Sequence, residues 1–141
     1  MTAASIPRRI EALEEVFSLL EDELEAHEVD KGSSYEIKLA TEEIFTNLVR
    51  HQKGGRDRIR IDLDVSEDEI VVRLTDFDAE PFDLQSAPVV DVRRQIGERE
   101  PGGLGLHLVR AMLDEVEYEH RDGNLTVVLV KRRGGRCSPS E

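Results

Sequence analysis

The sequence predicts an α+β two-layer sandwich, in which helices pack on one face of a mainly antiparallel sheet. The prediction rests on two early stretches with apolar residues at helical spacing, and on two later pairs of alternating stretches separated by a third helical one. A chain of 141 residues fits one domain with its own core. We therefore expect one domain over residues 1–133 and a flexible Gly/Arg/Ser-rich tail over 134–141.

The first two elements are predicted to be amphipathic helices. Pro7 suits the first turn of a helix, and apolar residues at spacings of three and four then predict a helix over roughly residues 7–27. Those apolar residues are Ile10, Leu13, Phe17, Leu20 and Leu24. Ser33 and Glu36, three positions apart, form a potential capping box, which begins a second helix that runs toward His51.

The remaining regular elements are predicted to be two β-hairpins with a helix between them. The alternating runs are residues 59–65, 70–74, 116–120 and 125–129. Residues 66–68 make the first turn, and Asp122 with Gly123 is a favoured two-residue turn for the second hairpin. Residues 77–101 have no clear period, which is typical of a functional lid or a disordered stretch.

Composition narrows the function classes. The chain has 31 acidic and 19 basic side chains, and its net charge of -12 opposes phosphate contacts, so we expect no direct binding of nucleic acid. A single cysteine, Cys137, excludes a disulfide or a multi-cysteine metal site within one chain. Because no apolar signal core and no run of eighteen apolar residues occur, we expect a cytoplasmic protein without a membrane segment.

A polar stripe runs along the second helix. Glu43, Asn47 and His51 are spaced by four residues, so they share one side of the helix. The stripe lies at the rim of the apolar face, where polar groups can face a cleft. Ordinary solvated helix residues show the same spacing, so the stripe alone is weak evidence for a site.

A glycine-rich turn precedes the third helix. Glycines let backbone N–H groups approach an anion, and a helix N-terminus favours negative charge, so Gly102, Gly103 and Gly105 predict a phosphate site. A flexible hinge is the alternative. The turn is not a P-loop, because no Gly-Lys-Ser/Thr follows, and Leu108 stands where a dinucleotide fingerprint has its third glycine.

Two aspartates stand at the end of the first hairpin. Asp76 could point its carboxylate into a cleft and accept a hydrogen bond from a ligand amine, and Asp78 is an equal competitor. The alternative is that they are ordinary turn aspartates. Because His, Cys and Asp do not cluster along the chain, we expect no zinc site.

Together these segments resemble the GHKL ATPases. LATEEIFTNLVRH at residues 39–51 resembles their N-box, DFDAEPFD at 76–83 a degenerate first glycine box, and GGLGLHLVRAMLDEVEYE at 102–119 the second glycine box. The short chain and its ending NLTVVLVKR are most similar to the bacterial anti-sigma-factor serine/threonine kinases. The resemblance covers roughly residues 7–132 and is specific chiefly in the N-box and the second glycine box.

The resemblance implies the Bergerat ATP-binding fold, in which helices cover one face of a mixed sheet and ATP lies between them under a lid. It implies that Glu43 is the general base that activates a serine hydroxyl and that Asn47 ligates Mg²⁺. Asp76 would contact the adenine amine, and Thr126 would face the adenine. The full set of expected nucleotide-binding residues is Asn47, His51, Asp76, Asp78, Gly102, Gly103, Leu104, Gly105, Leu106 and Thr126.

The implied activity is that of an ATP-dependent serine/threonine protein kinase, which sequesters a sigma factor and phosphorylates a serine of an anti-anti-sigma protein. Family members often form dimers, so a homodimer is allowed. Residues 77–101 become the lid under this interpretation. The arginines of that segment, which could add positive charge near the triphosphate, are Arg93, Arg94 and Arg99.

The first glycine box departs from the family pattern Asp-x-Gly-x-Gly. Residues 76–80 read DFDAE, with neither glycine and two extra carboxylates. This departure motivates an alternative function, a non-catalytic binding module with lost or weakened nucleotide binding. A third interpretation is a detached catalytic domain of a histidine kinase that acts on a partner in trans.

Overall fold

The computed structural model describes residues 2–51, 57–78 and 109–133. The elements are β1 (Thr2–Pro7), a short 3-10 helix (Ile10–Ala12), α1 (Leu13–Ala26), α2 (Lys31–His51), β2 (Arg58–Val65), β3 (Glu69–Asp76), β4 (Glu115–Arg121) and β5 (Asn124–Arg132). Residues 109–112 are also helical. Within the described ranges, every helix is too short or too polar to cross a lipid bilayer.

The five strands form one sheet in the order β1-β2-β3-β5-β4. Each of the four strand pairings is antiparallel, so the sheet has no parallel neighbours in the described part of the chain. Helices α1 and α2 pack against this sheet and against each other. The α+β class predicted from the order of elements is confirmed.

Both predicted hairpins form. In the turn between β2 and β3, the Ser66 hydroxyl accepts hydrogen bonds from the backbone N–H groups of Asp68 and Glu69, each at 3.2 Å. Between β4 and β5, Asp122 has φ 56° and Gly123 has φ 81°. Two successive left-handed residues are what a type I′ turn requires, which explains why Asp-Gly occurs there.

The start of the first helix was predicted wrongly. Pro7 is the last residue of β1, an edge strand that pairs with β2, and α1 begins only at Leu13 after the 3-10 turn. The segment TAASIP has mostly small side chains, of which only Ile6 is buried, so no alternating apolar pattern marked it as a strand. Edge strands also tolerate proline.

The start of the second helix lies earlier than the capping box predicted. The helix begins at Lys31, and the carboxylate of Asp30 accepts a 2.9 Å hydrogen bond from the backbone N–H of Ser33. The side chain of Asp30 therefore caps the N-terminus of the helix, and Ser33 does not. This hydrogen bond is the main reason why the pKa of Asp30 is lowered from its ordinary value.

The cap gives a testable prediction for stability. Replacing Asp30 with alanine should lower the free energy of unfolding at neutral pH by about 1 kcal/mol. Because the pKa of Asp30 is lowered by folding, its contribution is present above the ordinary aspartate pKa and is lost as the pH falls through the folded-state value. Urea unfolding at neutral and acidic pH measures the difference. Asp22→Ala, at an exposed position of α1, is the control, and an equal loss at both pH values would contradict the cap.

The core lies between the helices and one face of the sheet. Alternate residues of β2, β3 and β5 point inward and are buried, whereas those between them are mostly exposed or half-buried. The inward residues of the central strands are Ile59, Ile61, Leu63, Ile70, Val72, Leu74, Leu125, Val127 and Leu129. Asp76 is the last of the inward-pointing residues of β3. The alternation that builds the core therefore also places the Asp76 carboxylate on the side of the sheet that faces the helices.

Candidate nucleotide and catalytic site

Asp76 is the most unusual polar residue of the core. It pairs with Ile59 on β2 and with Leu125 on β5, and its side chain is fully buried. Its Oδ1 accepts a hydrogen bond from the guanidinium of Arg8, whereas no described residue donates one to its Oδ2. A buried acceptor without a partner costs about 1–3 kcal/mol, so a ligand that donates a hydrogen bond there would be favoured.

The structure separates Asp76 from its competitor Asp78. Asp78 is exposed, has φ 55°, and donates its backbone N–H to Oδ1 of Asn124 at 3.1 Å. Left-handed backbone is what glycine adopts readily and aspartate tolerates. Asp78 also stands where the resemblance puts the first glycine of the box. Its position therefore reflects a backbone requirement, and Asp76 is the residue whose carboxylate lies in the interior.

The role of Asp78 can be tested by replacing it with the glycine of the family pattern. Asp78→Gly relieves the left-handed strain and adds chain entropy to the unfolded state, so we expect the free energy of unfolding to change by less than about 1 kcal/mol. If an anionic nucleotide binds beside this turn, removing the negative charge should raise its affinity about two- to fivefold. Calorimetric titration measures the affinity. Unchanged or weaker binding would show that the Asp78 carboxylate does not repel the nucleotide.

Glu43 and Asn47 interact directly on α2. The Nδ2 of Asn47 donates to the backbone oxygen of Glu43 at 2.8 Å and to its Oε2 at 3.3 Å. Both partners are acceptors, so the amide must present its NH₂ group to Glu43 and turn its Oδ1 the other way. Asn47 is buried, and this oxygen is the type of ligand that Mg²⁺ accepts.

Glu43 has the environment of a general base. It is half-buried, and burial raises the pKa of its carboxyl, with a smaller contribution from the charge of Glu42. The hydrogen bond from Asn47 and the charge of Arg50 partly oppose this rise. A raised pKa makes a carboxylate a stronger proton acceptor, which is the property that a general base needs.

Arg8 joins these two parts of the site. Its Nη1 donates to the backbone oxygen of Leu48 at 3.0 Å, while its Nη2 bonds Asp76. Leu48 is among the last four residues of α2, whose carbonyls lack partners inside the helix. Asp76 therefore lies beside the C-terminal end of α2. The guanidinium of Arg8 links it to Leu48, the residue that follows Asn47. No sequence signal identified Arg8, because both partners are distant along the chain.

Thr126 lies on the opposite face of the sheet from Asp76, and its expected position facing the adenine stays a prediction. Thr126 pairs with Thr75, and its neighbours Leu125 and Val127 point into the core. Side chains alternate along a strand, so a shift of one residue changes the face. Leu125 is the fully buried residue of β5 that lies opposite Asp76.

Several predicted site residues lie outside the described part of the chain. His51 is the last residue of α2, but its side chain is not described. The glycine-rich turn falls outside as well, with Gly102, Gly103, Leu104, Gly105 and Leu106. So do residues 79–101 of the expected lid, with its arginines, and the tail at 134–141. Their roles stay predictions.

Comparison with known proteins identifies the family. A sequence profile of the histidine kinase-like ATPase domain matches residues 6–131. The chain belongs to this family. Serine-protein kinase RsbW of Listeria monocytogenes is 33% identical over an aligned length of 110, and the match covers 71% of this chain and 69% of the relative. The protein of the same name from Staphylococcus aureus is 29% identical over an aligned length of 137, and the match covers 89% of this chain and 85% of the relative.

A solved structure supports the same fold for this histidine kinase-like ATPase domain. The crystal structure of the RsbU and RsbW domains of a Mycobacterium tuberculosis protein matches with a TM-score of 0.60 and 18% sequence identity. The match covers 99% of this chain and 35% of the other, so this chain spans about a third of that longer protein. The predicted GHKL-type fold is confirmed by the profile and by this structure.

Proposed function

We propose that the protein is an ATP-dependent serine/threonine protein kinase of the anti-sigma regulatory type. The observation that carries the proposal is the buried carboxylate of Asp76. Arg8 binds its Oδ1 next to the helix that carries Glu43 and Asn47, and its Oδ2 has no partner among the described residues. Membership of the ATPase family and similarity to serine-protein kinases support it. Nucleotide recognition, metal binding and phosphotransfer are assigned to these residues in turn.

The base of ATP fits the environment of Asp76. Adenine presents an exocyclic amine, which donates hydrogen bonds, where guanine presents an oxygen, which accepts them. An ionised carboxylate oxygen only accepts, so Oδ2 of Asp76 would bind the adenine amine and disfavour guanine. Leu125, fully buried opposite Asp76, would offer an apolar surface to the ring. ATP is therefore expected to bind in preference to GTP.

Asn47 is the described residue suited to hold Mg²⁺. Its NH₂ group is engaged by Glu43, which leaves Oδ1 for a cation. Mg²⁺ takes few protein ligands and fills its octahedral shell with phosphate and water oxygens, so one amide is sufficient. When bound, the ion would neutralise charge on the triphosphate. The glycine-rich turn at 102–106 is proposed to hold the phosphates through its backbone N–H groups.

Glu43 is proposed to act on the serine of a protein substrate. The serine hydroxyl oxygen attacks the γ-phosphorus of ATP, and its proton passes to the Glu43 carboxylate. The bond between the γ-phosphorus and the bridging oxygen to the β-phosphate breaks, and ADP leaves with that electron pair. Asn47 orients the Glu43 carboxylate through the 3.3 Å hydrogen bond. Phosphoserine and ADP are the products.

The proposed partners follow from the resemblance to anti-sigma kinases. We assign a sigma factor as the sequestered partner and an anti-anti-sigma protein as the phosphorylated one. Both partners would place the activity in the cytoplasm. The formal charge of -12 opposes direct binding to DNA, which agrees with regulation through protein contacts.

Nucleotide titration tests the proposal at its first step. Mg-ATP should stabilise the protein by about 2.7 kcal/mol when its concentration is 100 times Kd, and Mg-GTP should stabilise it much less. Thermal unfolding and calorimetric titration measure both effects. If millimolar Mg-ATP gives no shift, the proposed kinase function fails. A partner complex that ignores ATP and Mg²⁺ would instead favour the non-catalytic binding module.

A further inference from the structure

We propose that Arg8 is a positioning residue for base recognition, which keeps the Asp76 carboxylate charged and turns its Oδ2 toward the ligand. The inference rests on the proposed binding of ATP. The inference adds to that function because it makes the preference for adenine depend on Arg8, a residue outside the N-box and both glycine boxes. Arg8 lies just after β1, in the segment that joins the edge strand to α1.

The first step of the argument is the burial of Asp76. A charged carboxylate in an apolar interior is costly, and an unpaired one becomes protonated instead. Asp76 is fully buried among core residues such as Ile59 and Leu125, with which it pairs. Among the described residues, Arg8 is the cation that forms an ion pair with it. Arg8 therefore supplies the counter-charge that keeps Asp76 ionised.

The second step is the fixed geometry of the guanidinium. The backbone N–H of Arg8 donates to the oxygen of Asp57 at 2.7 Å, and Nη1 donates to the oxygen of Leu48 at 3.0 Å. These contacts hold both ends of the residue, so Nη2 meets the carboxylate from one direction. It engages Oδ1 and leaves Oδ2 without a partner among described residues. The orientation of the carboxylate follows from that of Arg8.

The third step links charge to selectivity. A carboxylate accepts hydrogen bonds only, so it pairs with the amine of adenine and repels the oxygen that hypoxanthine carries at the same position. A protonated carboxyl group can also donate, and so it can pair with that oxygen. Losing the counter-charge of Arg8 should therefore weaken the choice between the two bases. The contacts of the triphosphate lie elsewhere and would be retained.

The test compares ATP with ITP, which has an oxygen in place of the adenine amine. Calorimetric titration with Mg²⁺ gives Kd for both nucleotides in the wild type, Arg8→Met and Arg8→Lys. We expect the wild type to prefer ATP by about 100-fold or more, and Arg8→Met to lose at least about tenfold of that preference. Arg8→Lys keeps the charge but loses the guanidinium that also reaches Leu48, so its preference should fall between those of the wild type and Arg8→Met. Arg9→Met, at the exposed neighbouring arginine, is the matched control.

The ratio of the Kd values for ITP and ATP distinguishes a positioning role of Arg8 from a merely structural one. If Arg8 only stabilises the fold, Arg8→Met changes both Kd values in proportion and leaves the ratio intact, which would overturn the inference. An equal loss of preference in Arg8→Lys would overturn the claim that the charge of Arg8 sets the choice of base. If Arg8→Met does not fold, Arg8→Gln replaces it, because glutamine keeps a hydrogen-bond donor without the charge. The same two Kd values are then compared. A wild type that binds neither nucleotide defeats the proposed function itself.

Discussion

Replacing Glu43 with glutamine is expected to slow phosphotransfer by about 10²- to 10⁴-fold, with the affinity for Mg-ATP changed less than about threefold. Glutamine keeps the size of the side chain and an oxygen that can accept the hydrogen bond from Asn47, but it cannot take a proton from serine. The rate is measured as transfer of labelled γ-phosphate to the proposed anti-anti-sigma substrate. Binding is measured separately by calorimetric titration.

The neighbouring glutamate supplies the control for this prediction. Glu42→Gln removes the same charge one residue away and should leave the rate within about threefold of the wild type. The pH profile adds a second readout. Because the pKa of Glu43 is raised, the wild-type rate should increase with pH through a value above the ordinary glutamate range, and Glu43→Gln should lack this limb. Full activity in Glu43→Gln would remove this residue from the role of base.

Replacing Asp76 with asparagine is expected to weaken ATP binding by about 10²- to 10³-fold, or about 3–4 kcal/mol. The amide cannot carry the charge that pairs with Arg8. The free energy of unfolding should therefore also fall, by about 3–5 kcal/mol, because a largely buried guanidinium loses its counter-charge. Calorimetric titration and urea unfolding measure the two effects on the same preparation.

Asp62→Asn is the matched control for Asp76→Asn. Asp62 is also largely buried and paired with an arginine, Arg60 at 2.9 Å, but it lies on β2 away from the row that ends in Asp76. Its replacement should leave ATP affinity unchanged and lower the stability by at most about 1 kcal/mol, because Arg60 is exposed. If Asp76→Asn binds ATP as the wild type does, the adenine contact is assigned wrongly even where stability falls.

The parts of the fold that sequence analysis predicted are those with a strong local pattern. Strand β2 alternates apolar and polar residues over its length, β3 does so except at Val71, and the second hairpin has an Asp-Gly turn. Both patterns depend on neighbours along the chain. Strand β1 had no such pattern, because its small residues leave Ile6 as its only buried side chain. Pairing with β2, a long-range interaction, makes it a strand.

The parts of the site that sequence analysis could not place also depend on long-range structure. Thr126 was assigned to the nucleotide by resemblance, and its role stays a prediction. The face on which a strand residue lies depends on register, and Leu125 is the residue opposite Asp76. Arg8 was missed because Leu48 and Asp76 lie 40 and 68 positions away. No window along the sequence contains both. The Glu43–Asn47 interaction, by contrast, spans one helical turn and was visible from spacing.

The left-handed backbone of Asp78, braced by the Asn124 side chain, also bears on how related chains are recognised. The feature that this turn requires is a backbone angle, and glycine is only one residue that supplies it. A sequence pattern that demands glycine at this position would discard chains in which aspartate or asparagine adopts the same angle. Searches for divergent members should therefore accept these residues there, and should require the buried carboxylate two positions earlier.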